Sequence, residues 1–154
     1  MAPRPSAGIL LYRGGPGARE VFIGHMGGPY WSRKDEHAWS IPKGEFADGE
    51  GALEVARREF SEEIGVPAPE LDYLELGTFR YSSGKTVTVF AAEAPEFEVA
   101  EVVSNTFELE WPPRSGRVQA FPEIDRAQWV TLDQARLMLV AGQVPALDAL
   151  TDAR

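Results

Sequence analysis

Apolar runs and polar breaks alternate along this chain with the spacing of a mixed α/β domain. "SAGILLYR" (6–13) and "REVFIGHM" (19–26) predict two strands joined by the turn "GGPGA". The polar loop "GGPYWSRKDEHA" follows, then a short strand, "WSI", ending at Pro42. "LDYLELGTFRYS" and "KTVTVFAAEA" predict a second hairpin that turns at Ser83-Gly84. The stretch "SNTFELEWPPRSGRVQAFPE" reads as long and irregular, leading into the strand "AQWVTL". Asp133 then predicts the cap of a helix, "QARLMLVAG", and Pro145 opens a last short one. In mid-sequence, Leu53, Ala56, Phe60 and Ile64 recur at helical spacing. Asp48 is the expected N-cap of that helix. Gly65, with Pro67 beyond it, stops it near Ile64.

Composition narrows the picture without changing it. A chain of 154 residues with 44% hydrophobic content is long enough for one domain with a sizeable core, and no repeat or linker divides residues 1–154. There is no cysteine, so disulfides, thiolate nucleophiles and cysteine metal sites are excluded. The opening "MAPRPSAGILLYR" carries too short an apolar run for a secretory leader, and no later run approaches a membrane span, so a cytoplasmic protein is expected. A net charge of −9 argues against stable binding to nucleic acid or to anionic membrane. An anionic ligand must therefore meet local cations, either side chains or metal.

The charge pattern becomes informative at the end of the central helix. Glu59, Glu62 and Glu63 are spaced to share one face beside the apolar stripe. Helix C-termini carry partial negative charge, which disfavours carboxylates there. Like charges at these spacings cost roughly 0.2–0.5 kcal/mol per pair. Arg58 offsets part of this through Glu54 and Glu62, each four residues away. A solvated acidic face accounts for neither the clustering nor its position. A hard divalent cation, Mg²⁺ or Mn²⁺, accounts for both.

The spacing of these residues resembles the Nudix box, Gly-x5-Glu-x7-Arg-Glu-apolar-x-Glu-Glu-x-Gly-apolar. Gly44, Glu50, Arg58, Glu59, Glu62, Glu63 and Gly65 fill every fixed position, with Phe60 and Val66 at the apolar ones; Phe60 is bulkier than the usual aliphatic. The resemblance to Nudix hydrolases implies an α/β/α sandwich with a central mixed β-sheet, and a loop–helix–loop metal site over residues 44–66. It implies hydrolysis of a nucleoside diphosphate linked to another group. By position, Glu59, Glu62 and Glu63 become ligands of Mg²⁺ or Mn²⁺, with the Gly44 carbonyl and Glu50 as possible additions, and Arg58 orients the glutamates. Lys43, directly before the box, is placed to touch a phosphate. Many members of the family supply a catalytic glutamate just before a tryptophan-bearing strand. Glu123, six residues before Trp129, resembles that arrangement; Glu108, Glu110 and Glu63 are its rivals. "WSIPKGE" resembles the start of the box in diadenosine polyphosphate hydrolases and in some diphosphoinositol phosphate hydrolases. Trp31, Tyr30, Phe107 and Trp111 are candidates for stacking on a base, and Arg33, Lys34, Arg114 and Arg117 for holding phosphates. The expected substrate is a dinucleoside polyphosphate such as diadenosine tetraphosphate. A housecleaning hydrolase of free or oxidised nucleoside triphosphates and a nucleotide-sensing domain without turnover are the alternatives.

Other motifs fall away. Gly84-Lys85-Thr86 resembles a phosphate-binding loop only superficially, because six residues separate Gly77 from Gly84 and strands flank the turn. His25 and His37 are isolated, and no Gly-x-Ser-x-Gly nucleophile elbow is present.

Overall fold

The computed structural model describes residues 4–154, so the first three residues of the opening stretch lie outside it. The first two strands, β1 (Pro5–Arg13) and β2 (Glu20–Met26), pair antiparallel beside their turn, through Tyr12↔Val21 and Arg13↔Glu20. Two short strands, β3 (Trp39–Ser40) and β4 (Lys43–Glu45), then lead into helix α1 (Ala52–Ile64). The hairpin of β5 (Leu74–Arg80) and β6 (Thr86–Glu93) follows as expected. Next come β7 (Thr106–Glu110), β8 (Val118–Pro122) and β9 (Ile124–Thr131), and then α2 (Leu132–Met138) and α3 (Val144–Ala153).

The main sheet runs β3-β2-β1-β6-β5, with β4 joined to β1 and β9 to β2. It is mixed, because β1 and β6 pair in parallel from Pro5↔Thr86 to Tyr12↔Glu93 while its other pairs are antiparallel. β1 is buried on both faces, which explains its unbroken apolar run. Leu10 and Tyr12 point into one core with Trp39, Leu147 and Leu150. Ile9 and Leu11 point into the other with Phe22, Phe60 and Ile64. Helix α1 therefore covers one face, and α2 and α3 the other. This is the α/β/α sandwich with a central mixed sheet. Among the described residues, no helix is long and apolar enough to cross a membrane.

Three local expectations need correction. The N-cap of α1 is Gly51, whose carbonyl accepts from Val55 at 3.0 Å, and not Asp48, which lies in a preceding turn. The cap of α2 is Thr131, not Asp133. The Thr131 hydroxyl accepts from the Gln134 amide N–H at 3.1 Å and the Gln134 side chain accepts in return at 2.9 Å, a capping box. Asp133 sits in the first turn, where the positive helix end favours it. The third correction is larger. The stretch read as irregular contains a β-hairpin, β7–β8, in register from Thr106↔Pro122 to Glu110↔Val118 and outside the main sheet. Phe107 and Leu109 alternate with exposed Glu108 and Glu110, a period-two signal that Pro112, Pro113 and Gly116 obscure in the sequence.

Gly65 ends α1 at φ 96°, donating to the Ser61 carbonyl at 2.9 Å. A Cβ there would stand 2.6 Å from the Val103 carbonyl oxygen. Gly65→Ala is therefore expected to lower stability by roughly 1–2 kcal/mol, the cost of a left-handed alanine, or more through the added clash. Urea unfolding measures this, and an unchanged midpoint would contradict the close fit of this turn.

Candidate active site

Two elements meet edge to face to form the site. β4 presents Lys43 and Gly44, held by its pairing with β1 (Gly8↔Lys43, Ala7↔Gly44). The last turns of α1 present Glu59, Glu62 and Glu63. Glu63 Oε1 accepts the backbone N–H of Lys43 at 3.2 Å. Glu59 packs directly over Gly44, where any Cβ would collide with its carboxyl group. A larger residue at position 44 would displace the Glu59 carboxyl group from its place.

A series of backbone hydrogen bonds brings Glu123 to the same place. Asn105 donates to the Glu62 carbonyl at 2.7 Å, and Glu123 donates to the Asn105 carbonyl at 2.9 Å. The Glu123 carbonyl in turn accepts from Gly27 at 2.9 Å. The β2–β9 register shifts here, from His25↔Arg126 to Met26↔Ile124, the kind of bulge that re-aims neighbouring side chains.

The electrostatics follow from this crowding. Burial drives the Glu63 carboxyl up to about 8, and the charges of Glu59 and Glu123 push the same way, against the pull of the Lys43 amide and ammonium groups. Burial also raises Glu59, reinforced chiefly by Glu62 and then by Glu123. Glu123 is raised by burial, with Lys43 opposing. Glu50 behaves differently. Its oxygens accept from the Ala47 amide at 2.8 Å and from Arg58 Nη1 at 3.2 Å, and these bonds lower its pKa. Glu50 is thus committed to protein partners. It holds Arg58, whose Nε lies 3.8 Å from Glu62.

Among the described residues, no three acidic or histidine side chains are drawn close enough to form a ready metal cage, because Glu63 turns to Lys43 and Glu62 toward Arg58. The donor set nevertheless suits a hard divalent cation. It consists of oxygen donors only, is short of positive charge, and has Glu59 seated over a glycine that leaves room for its carboxyl group.

Glu108 and Glu110 do not join this group. Both are exposed on β7, and Glu110 accepts from the Arg114 and Gly116 amides at 3.3 and 3.0 Å, capping the hairpin turn. Phe107 packs against Phe121, with ring centroids 6.1 Å apart, and over Gly28. Trp31 packs on the core beneath Lys34, whose ammonium lies 5.5 Å from the ring centre. Trp111 meets exposed Tyr30 edge-on at 5.2 Å. Arg33, Arg114 and Arg117 are exposed, the last two in and beside the hairpin turn. His25 is wholly buried between Asp125 and the Lys34 carbonyl, so it has a structural role.

A family model described as NUDIX domain matches residues 2–150. The chain belongs to the Nudix hydrolase family. A 17.7 kDa uncharacterized protein of Enterobacteria phage T4 is 34% identical over 80% of this chain and 83% of its own length. The asymmetrical bis(5'-nucleosyl)-tetraphosphatase of Sus scrofa is 35% identical, but the match spans 41% of this Nudix chain and 46% of that protein. In three dimensions, a binary complex of the C. elegans Ap4A hydrolase superposes with a TM-score of 0.68 over 96% of both chains at 20% identity, a likeness of fold.

The buried Glu63 should make the metal-free protein sensitive to pH. A carboxyl raised from 4.5 to about 8 binds more protons in the folded than in the unfolded state across that interval. Stability should therefore fall as pH rises from about 4.5 to 8. In EDTA, Glu63→Gln should melt several degrees above the parent at pH 8, and this gap should close toward pH 5. Parallel melting curves at all pH values would show that Glu63 is not held in this buried, crowded state.

Proposed function

We propose that this protein is a Mg²⁺- or Mn²⁺-dependent pyrophosphohydrolase of dinucleoside polyphosphates, with diadenosine tetraphosphate as its preferred substrate. The observation that carries the reaction class is the placement of three carboxylate residues about the start of β4: Glu63 accepts the Lys43 N–H at 3.2 Å, Glu59 packs over Gly44, and Glu123 is tied back to the end of α1 through Asn105. Glu59, Glu62 and Glu63 would hold the cation, with the Gly44 carbonyl beside them. When bound, the cation neutralises phosphate oxygens and acidifies a water. Arg58, braced by Glu50, keeps Glu62 in place. The Lys43 ammonium meets the phosphate chain. Glu123 takes the proton of the attacking water. Its upward shift brings its basicity closer to neutral pH, where a general base is most effective. Glu63 is the second choice for that role, and Glu108 and Glu110 lie outside the group.

The tetraphosphate preference rests on "WSIPKGE" and on the partial relationship to the Sus scrofa tetraphosphatase. The exposed Tyr30–Trp111 pair and the surface cations Arg33, Lys34, Arg114 and Arg117 fit the same preference. They lie along the loop and hairpin that leave the Gly27–Glu123 junction. A long, highly charged ligand uses more of these groups than a short one.

Two measurements test the reading. Glu123→Gln should lower kcat by at least about 10²-fold with little change in KM; a variant keeping most of its kcat moves the role to Glu63. A panel of diadenosine tetraphosphate, ADP-ribose, dGTP and oxidised dGTP, compared by kcat/KM at fixed Mg²⁺, decides the substrate. Asymmetric cleavage to ATP and AMP should lead, and Lys43→Ala should weaken the tetraphosphate most. A lead of about tenfold by ADP-ribose or oxidised dGTP, roughly 1.4 kcal/mol, would overturn the substrate while leaving the metal chemistry standing.

A further inference from the structure

The peptide that delivers Lys43 to the site is anchored at three successive residues. The Ile41 N–H donates to Gln143 Oε1 at 2.8 Å, the Pro42 carbonyl accepts from Ile9 at 3.1 Å, and the Lys43 N–H donates to Glu63 at 3.2 Å. The middle anchor belongs to the sheet. The first comes from a residue 102 positions away, in the short 3-10 turn Ala141–Gln143 that precedes α3.

Gln143 is fully buried, yet every polar atom of its side chain is used. Its oxygen faces an N–H, which fixes the orientation of the amide. Its nitrogen donates to Ser40 Oγ at 3.0 Å and to the Tyr81 hydroxyl at 2.9 Å. The Ser40 hydroxyl passes the bond on to the Ile41 carbonyl at 2.8 Å. The neighbouring Gly142 lies against the Tyr81 ring, where any Cβ would collide. A buried amide with this many partners specifies one arrangement, because losing a partner strands a desolvated polar group.

The contact belongs to a longer strap. The His37 N–H donates to the Leu137 carbonyl at 3.0 Å, and His37 Nδ1 donates to the Leu139 carbonyl at 2.8 Å. The Val140 N–H donates to the Trp39 carbonyl at 2.9 Å. Residues 137–143 thus run along 37–41, and Gln143 at their end holds Ile41, two residues before Lys43.

We infer that Gln143 is a positioning residue for the cation site: by holding Ile41 it sets where the Lys43 N–H grips Glu63, and so where that carboxylate stands. This rests on the reading of Glu63 as a metal ligand. Gln143 is fully buried and its side-chain bonds all go to Ile41, Ser40 and Tyr81, so it acts through the backbone of Ile41–Lys43.

The test measures Mn²⁺ affinity by electron paramagnetic resonance, together with thermal unfolding. Gln143→Met removes the acceptor for Ile41 and should weaken Mn²⁺ binding roughly tenfold, the low end of the loss seen when the partners of a metal ligand are removed. It should lower kcat more than it changes KM. Tyr81→Phe removes a hydrogen bond from the same buried network but leaves Ile41 its partner, so it should bind Mn²⁺ like the parent. Gln143→Glu, which still offers an oxygen to Ile41, should recover most of the lost affinity. If Gln143→Met does not fold, Gln143→Asn, whose oxygen is withdrawn by one methylene, carries the same expectation. Parental Mn²⁺ affinity in the Met or Asn variant, with Glu63→Gln impaired, overturns the inference alone. Parental affinity in Glu63→Gln removes the metal reading and the inference with it.

Discussion

The burial of Glu63 against the backbone of β4 is the constraint around which the site is arranged. A carboxylate placed there loses water, sits at the negative end of α1 and feels Glu59 and Glu123. The protein compensates in part. The Lys43 amide and ammonium groups oppose the rise, and Arg58, itself braced by Glu50, lies against Glu62. These compensations are incomplete, and Glu63 remains near 8. This shortage of positive charge is what the proposed cation would relieve, which would give the unfavourable placement a chemical purpose.

The rest of the fold keeps that crowding in place. α1 is fixed from beneath by Ala56, Phe60 and Ile64 in the core and from its end by Gly65. From that end, backbone bonds pass through Asn105 to Glu123 and on to Gly27. On the opposite side, β4 is held by β1, and its approach is strapped to residues 137–143. A carboxylate cluster of like charge would spread apart on a mobile surface. Here each member stands on an element anchored by sheet pairing or buried packing.

Much of this could be read along the chain wherever the signal was local. The spacing Glu59, Glu62, Glu63, Gly65 lies within the last turns of one helix and its cap, so periodicity alone placed three carboxylates at the end of α1. Gly65 with Pro67 beyond it located the end of α1 for the same reason. The N-caps misled because Asp48 and Asp133 are good capping residues that the chain places elsewhere, in a turn and in a first turn. The β7–β8 hairpin hid behind its prolines. Asn105 and Gln143 left no signal at all: Asn105 acts through its backbone, which any residue would offer, and the Gln143 side chain acquires its role only when a segment distant in sequence arrives beside it. The aromatic candidates divided by packing, with Phe107 and Trp31 serving the hairpin and the core and Trp111 left paired with Tyr30 at the surface.

If Glu63 is a ligand of the proposed cation, binding should displace a proton, because a carboxyl protonated near neutral pH must release it to coordinate. Calorimetric titration of Mn²⁺ in buffers of different ionisation enthalpy measures that directly. Up to about one proton should be released per bound ion at pH 7, fading above pH 8 and largely abolished by Glu63→Gln. Binding without proton release at pH 7, or no binding at all, would contradict it.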